Sequence, residues 1–252
     1  MDNLACIIDF YKNLDRLGPG DDAQTMRAWN TIKPMPDAPC VADIGCGTGA
    51  QSAVIARETV AAEIVAVDFI SDFLERAHDR FAKADLRVQT LKANMDCLPF
   101  AEESFDIIWS EGAAYNMGFE NAARYWNRFL KPNGCIALTE LSWLRDSIPN
   151  RLKSYWKSNY PDLETIRGNI ARLERSGYEM VAHFSLPRHC WTENYYKPMM
   201  AEFDPFLRRW NYSAEAEALV AEAREEMAIY DEYCDIYGYE FYIARKITHI
   251  HN

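Results

Sequence analysis

The sequence predicts a doubly wound α/β fold, a mostly parallel sheet with helices on both faces. Two observations predict it. Between Cys40 and Glu140, short apolar and β-branched runs alternate with amphipathic helical stretches, as expected when crossover helices bury each strand on both sides. In the first unit, Val41–Gln51 ("VADIGCGTGAQ"), a strand-like run enters a helix through three glycines in five residues. That spacing lets a backbone turn tightly and approach another group closely.

The elements follow in order. Leu4, Ile7, Ile8, Tyr11 and Leu14 recur at helical spacing and predict an opening amphipathic helix. "GPGDD" (Gly18–Asp22) breaks it and offers Asp21 or Asp22 as the cap of a short second helix reaching about Ile32. The proline-rich "KPMPDAP" then delivers the chain to "CVADI", the first strand. Helices are expected over 50–59, 71–83 and 120–130, between the strands "EIVAV", "LRVQTL", "FDIIWS" and "GCIALTE". "KPNG" (Lys131–Gly134) reads as a turn, since Pro fixes one backbone angle and Gly permits the reversed one. After Pro149 helices are expected over 150–160 and 162–176, capped by Gly177, then a strand "YEMVAHFSLP". A long helical stretch precedes a last strand, "YEFYIARKI". This organisation reads as one domain over 1–252, with N-terminal helices in 1–35, a core in 40–142 and a helical insertion in 191–236.

Bulk properties exclude several classes. The 252 residues carry a formal net charge of -11 with no cluster of Lys and Arg, which argues against nucleic-acid partners and anionic membrane surfaces. The N-terminus lacks the basic start and apolar core of a signal peptide, and no apolar run approaches a membrane span. Seven scattered cysteines with no C-x-x-C pair read as reduced thiols, hence a cytoplasmic protein. No His/Cys/Asp cluster has metal-ligand spacing, so no metal is expected. His249 and His251 read as solvent-exposed tail residues.

The glycine loop admits two readings. Gly45, Gly47 and Ala50 satisfy the dinucleotide fingerprint, and Asp68 follows at the distance where either class of protein would hold ribose hydroxyls. An NAD(P)-dependent oxidoreductase is therefore one reading. Asp43 favours another, because a carboxylate at the end of a buried strand requires a cationic or hydrogen-bonding partner. A pyrophosphate would be repelled there, whereas the ammonium and sulfonium of S-adenosylmethionine would not.

Together with "VAVDFISDFLERA", "ANMDCLPFAEESFDIIWSEGAAYNMG" and "RFLKPNGCIALTE", the loop resembles the class I S-adenosylmethionine-dependent methyltransferases. The likeness is to the small-molecule branch, with its D-x-G-C-G-T-G loop and L-P-F…S-F-D block, and it covers roughly residues 40–142. It implies a Rossmann-like, seven-stranded sheet whose last strand is antiparallel, closed by "YEMVAHFSLP" and "YEFYIARKI". It further implies methyl transfer from S-adenosyl-L-methionine, with S-adenosyl-L-homocysteine as product, to a small-molecule acceptor. A non-catalytic protein that senses the same cofactor is a further alternative.

Carried onto this chain, the resemblance places Asp43 and the Gly45–Gly49 loop, including Cys46, Gly47 and the following Gln51, at the methionine end of the cofactor. Asp68 would meet the ribose, with Phe69 beside it, and Asn94 and Met95 the adenine. Asn94 replaces the family's usual aspartate and is equally well a turn former. Ser110 and Glu111 would flank the reacting centre, although Glu111 also fits a structural ion pair. His189 and Tyr115 are candidate catalytic residues because both follow strands at their carboxyl ends, and an ordinary loop histidine is the competing reading of His189. Phe10 and Tyr11 on the first helix, and Trp191, Tyr195 and Tyr196 in the insertion, are expected to cover the acceptor site. A helical subdomain packing on itself would account for the insertion as well.

Overall fold

The computed structural model describes residues 2–59 and 62–248; His249 and His251 lie outside them. Ten helices and eight strands are present among the described residues. The chain opens with α1 (Asp2–Tyr11) and α2 (Asp22–Thr31). Asp21 supplies the expected cap of α2, its carboxylate accepting from Ala23 N at 2.7 Å.

The alternating region then forms β1 (Cys40–Ile44), α3 (Ala50–Glu58), β2 (Glu63–Asp68), α4 (Ser71–Lys83), β3 (Val88–Lys92), β4 (Phe105–Glu111), α5 (Phe119–Trp126) and β5 (Leu130–Trp143). α5 is shorter than expected, because a single 3₁₀ turn over Asn127–Phe129 delivers Leu130 to pair with Phe105. "KPNG" is an excursion within β5. Pairing passes from Phe105–Leu130 to Ile107–Cys135, leaving Lys131–Gly134 bulged out, with Asn133 at φ 62°.

Next come α6 (Asn150–Asn159), β6 (Glu164–Thr165), α7 (Ile166–Arg175) and β7 (Tyr178–Ser185). A helix over 162–176 was expected, yet it begins only at Ile166. Glu164 and Thr165 are extended and pair with Ser142 and Trp143, and the Thr165 hydroxyl caps α7 through Gly168 N at 3.0 Å. The two-residue β6 is thus an addition to the seven-stranded path. The insertion holds α8 (His189–Trp191), a π turn over Thr192–Tyr196, α9 (Lys197–Arg209) and α10 (Ala214–Tyr233), before β8 (Tyr237–Lys246).

The strands run in the order β3-β2-β1-β4-β5-β8-β7. β8 is antiparallel to both of its neighbours, and β1 to β5 are mutually parallel, the expected closing pair. Alternation along the strands makes two apolar layers. Val41, Ile107, Trp109, Ala137 and Phe241 face the layer built with Trp29, Phe10 and the insertion. Ala42, Ile44, Ile108, Ile136 and Leu138 face the layer filled by Phe119 and Trp126 of α5 and Leu173 of α7.

The first helix and the insertion pack against each other. Phe10 stacks on Phe203 at 6.0 Å and meets Phe206 edge-on at 4.9 Å. Asp9 accepts from Arg209 Nε at 2.9 Å and from the Trp210 indole at 3.0 Å. Among the described residues no helix is long and apolar enough to cross a membrane.

Candidate active site

The carboxyl ends of β1, β2, β4 and β5 converge on one cleft of about 730 Å³. Its floor at one end is the glycine loop. Gly45 and Gly47 both have positive φ, 75° and 54°, and each is pressed by a neighbour. A Cβ on Gly45 would lie 2.3 Å from the Ala113 Cβ, and one on Gly47 2.7 Å from Leu17 Cδ1. Only glycine combines that backbone with that approach. Gly45 N and Cys46 N donate to the Val67 carbonyl at 2.8 and 2.9 Å, and Gly47 N donates to Asp68 Oδ2 at 2.9 Å. The loop is thereby tied to the end of β2.

Asp68 ends β2 at the cleft wall, and its other oxygen accepts from Ile70 N at 2.9 Å. Burial raises its carboxyl above the ordinary value, against these backbone donors. Each oxygen has only one of these donors and retains a free lone pair for a vicinal diol. Phe69, 61% exposed, stands beside it on the same cleft, with Asn94 and Met95 opposite after β3. The Met95 carbonyl is held by the Trp126 indole at 3.0 Å. The set fits a ribose and a flat base: two hydroxyl acceptors, an open aromatic face and an amide.

Three expected contacts are displaced from the cleft surface. Asp43 is wholly buried and does not line the cleft; its carboxylate accepts from the Ser52 hydroxyl and, at 3.3 Å, from the Gln51 amide. Its partners are thus side chains of α3, and burial pushes its carboxyl up to about 7. Gln51 does reach the cleft, so Asp43 stands behind it, one hydrogen bond from the surface. Ser110 is also buried and donates to the Ile44 carbonyl at 2.7 Å, joining β4 to β1 instead of facing the centre. Gly49 caps α3 and abuts α4, with Phe81 2.6 Å from where its Cβ would stand.

Glu111 lines the cleft but is already engaged. It accepts from the Thr25 hydroxyl at 2.7 Å and the Trp109 indole at 2.9 Å, and Arg16 lies 3.5 Å away. The structural ion-pair reading is the one its contacts support. Tyr115 lines the cleft and meets Tyr160 edge-on at 6.0 Å. His189 does not line it. The ring is about half exposed, with Nε2 3.3 Å from Asp21 Oδ2. The expectation of a base there is corrected: α8 turns the side chain toward the N-terminal junction.

The cover is broader than the two expected segments. Tyr11, Trp191 and Tyr195 line the cleft as expected, whereas Phe10 and Tyr196 lie behind the wall. The stretch Arg16–Pro19 reaches across the glycine loop, and the Thr48 hydroxyl donates to the Asp15 carbonyl at 2.8 Å. Sequence reasoning missed Tyr155 and Trp156 on α6, Tyr160 just after it, and Glu222 and Glu226 on α10, all of which line the far end. A ring-rich helix following directly on the carboxyl end of β5 was the available signal for α6.

Comparisons with known proteins agree with this geometry. A family model described as a methyltransferase domain matches residues 41–134, which span β1 to the bulge in β5. The uncharacterized methyltransferase YodH of Bacillus subtilis is 32% identical over 118 residues, 47% of this chain and 49% of that protein. Across the first three curated relatives matched, the chain spans between 28% and 49% of their length. Among solved structures, an S-adenosylmethionine-dependent methyltransferase from Geobacter sulfurreducens, in complex with S-adenosyl-L-homocysteine, superposes with TM-score 0.82. It is 16% identical, and the match covers 96% of this chain and 98% of that one. The [4+2]-cyclase SpnF superposes with TM-score 0.70 at 21% identity, covering 90% of this chain and 81% of that one. The same architecture therefore carries more than one chemistry. Residues 41–134 thus match a methyltransferase domain, and strand order and superposition give the whole chain the fold of solved S-adenosylmethionine-dependent methyltransferases.

Proposed function

We propose that the protein transfers a methyl group from S-adenosyl-L-methionine to a small-molecule acceptor. The observation that supports this is continuity. A single cleft runs from the glycine loop, Asp68 and Phe69 to a chamber walled by Tyr11, Tyr115, Tyr160, Trp191, Tyr195 and Tyr239. One end fits a nucleoside, and the other suits a compact organic molecule.

S-adenosylmethionine, when bound, supplies a methyl group on a positively charged sulfur, ready for in-line displacement. The chain contributes placement. Asp68 accepts from the ribose hydroxyls, Phe69 and Met95 enclose the adenine, and Asn94 presents its amide to the adenine edge. The backbone of Gly45–Thr48 with Gln51 holds the methionine end, and Asp43 holds Gln51. Tyr115 lines the same cleft beside Tyr160. Such positioning is worth roughly 7–11 kcal/mol of barrier. The apolar cover keeps water from the nucleophile. A single domain with residues 191–236 as part of that cover, acting in the cytoplasm, fits the scattered thiols and the acidic charge, which also disfavours nucleic-acid acceptors.

Titration calorimetry with S-adenosylhomocysteine and with NADH is the test. Binding of S-adenosylhomocysteine in the micromolar range, with no heat from NADH, is expected. Binding of NADH alone would overturn the reading. Methyl-labelled cofactor with metabolite fractions then distinguishes an enzyme from a sensor, which would bind without turnover.

A further inference from the structure

The acceptor end of the cleft is unusually acidic for an apolar chamber. Glu140, Glu222, Glu225 and Glu226 line it, and Arg16 is the one basic residue on the cleft wall among the described residues. Arg16 is committed to Asp22 at 2.6 Å and lies 3.5 Å from Glu111, so it is not free to receive an anion.

Glu140 is the decisive group. It lies on β5 one residue past the last pair with β4, is 2% exposed, and among the described residues neither carboxylate oxygen makes a hydrogen bond of normal geometry. The Tyr160 hydroxyl is its polar neighbour, close enough to act on the Glu140 carboxyl but not aligned in a hydrogen bond of normal geometry. A buried carboxylate without a partner is costly to fold. Tyr115, Tyr160 and Tyr239 lie around it, and Trp191 stacks on Tyr239 at 5.3 Å. Further along, Glu226 accepts from the Tyr196 hydroxyl at 2.9 Å and lines the same chamber with Tyr11, Tyr155 and Tyr195. Carboxylates set among electron-rich ring faces are the surroundings that recognise an organic cation.

We infer that the methyl acceptor is a small amine that enters as its ammonium ion, held by Glu140 within the ring of Tyr115, Tyr160 and Tyr239. This rests on the methyl-transfer reading above and narrows it to a basic nitrogen. The ammonium supplies the donors that Glu140 lacks. Transfer of one proton from nitrogen to a Glu140 oxygen leaves the electron pair of the broken N–H bond on nitrogen, the neutral form a nucleophile requires. Before a cation enters, burial raises the Glu140 carboxyl to about 8. An ammonium beside it favours the ionised form, so the acid gives up its proton as the cation arrives and can then take one from nitrogen. The acidic wall rejects carboxylates and phosphates by the same charge.

Benzylamine, benzyltrimethylammonium, benzyl alcohol and benzoate, matched in their ring, separate charge from shape. Each is titrated into the full chain saturated with S-adenosylhomocysteine. The two ammonium probes are expected to bind at least about tenfold tighter than benzyl alcohol, with no binding of benzoate. The Glu140→Gln variant should lose that preference while S-adenosylhomocysteine binds as in the parent. Equal binding of alcohol and amine, preferred binding of benzoate, or no binding of either ammonium at millimolar concentration would overturn the inference. The comparison of probes on the parent stands even if Glu140→Gln fails to fold. Loss of S-adenosylhomocysteine binding by the parent would instead sink the methyl-transfer reading.

Discussion

The Thr25 hydroxyl donates a 2.7 Å hydrogen bond to Glu111 Oε1, fastening α2 to the carboxyl end of β4. The same oxygen accepts from the Trp109 indole at 2.9 Å. One carboxylate thus joins the N-terminal helices to the sheet beside the cleft. Replacing Glu111 by Ala would strand two donors and release Arg16. A loss of about 2–4 kcal/mol in urea unfolding is expected, from charge-assisted hydrogen bonds removed at a nearly closed site. Thr25→Val should lose about 1 kcal/mol. Unchanged unfolding midpoints in both variants would mean the junction is incidental.

Asp68→Ala should weaken S-adenosylhomocysteine binding by about a hundredfold or more, two charge-assisted bonds to the ribose being lost at roughly 1.5–3 kcal/mol each. Asp43→Asn should keep the fold and cost less affinity, since it acts only through Gln51 and Ser52. Calorimetry on both variants measures the order. An Asp43 variant weaker than the Asp68 variant would show that Asp43 touches the ligand directly.

His189→Ala is expected to turn over within about twofold of the parent, because a half-exposed imidazole 3.3 Å from Asp21 contributes little in solvent. A drop of a hundredfold in kcat with KM unchanged would restore His189 as a base.

Stability should depend on pH through Glu140. Its ordinary value is 4.5 and burial raises it to about 8. Above about pH 5 the unfolded chain releases this proton while the folded chain keeps it, so the Glu140 contribution to stability falls as pH rises from about 5 to 8. The groups facing it are Tyr160 after α6, Asp162, Arg172 of α7, Tyr115, and Tyr239 and Tyr242 of β8. The tyrosines, all raised, stay neutral across this window. Glu140→Gln should therefore gain on the parent by up to about 4 kcal/mol between pH 5 and pH 8 in denaturant titrations. A difference independent of pH would contradict the assignment.

Deleting residues 1–17 should weaken S-adenosylhomocysteine binding as well as turnover. A cover confined to the acceptor side would spare the cofactor, but Leu17 packs on Gly47, and Asp15 receives the Thr48 hydroxyl. Affinity equal to that of the parent would show that this stretch is only packing.

The core was legible because its signals are local. Strand–glycine–helix spacing located the Gly45–Gly47 turn, and apolar runs located β1 to β5. Asp68, Phe69, Asn94 and Met95 fall on the cleft because the ends of parallel strands must share an edge. Asp43, Ser110 and His189 were misplaced because side-chain direction depends on partners distant in sequence. Ser52 and Gln51 on α3 occupy Asp43, the Ile44 carbonyl receives Ser110, and Asp21 draws His189 outward. The rings of α6 went unread because their signal is the helix's place after the carboxyl end of β5, and the spacing within Asn150–Asn159 does not tell which face meets a cavity.

The position of β8 has a consequence for how the chain is made. β8 lies between β5 and β7, both of which precede it in the chain. On the ribosome, β5 and β7 therefore emerge before the strand that joins them. Until residues 237–246 are out of the exit tunnel, the inner edge of β5 and the whole of β7 present open backbone groups, the condition that recruits stray strands and holding chaperones. A nascent chain halted before Tyr237 could build the glycine loop and its first crossovers, yet would carry β7 with no sheet to join. Completion of the sheet is postponed to the last strand synthesised among the described residues.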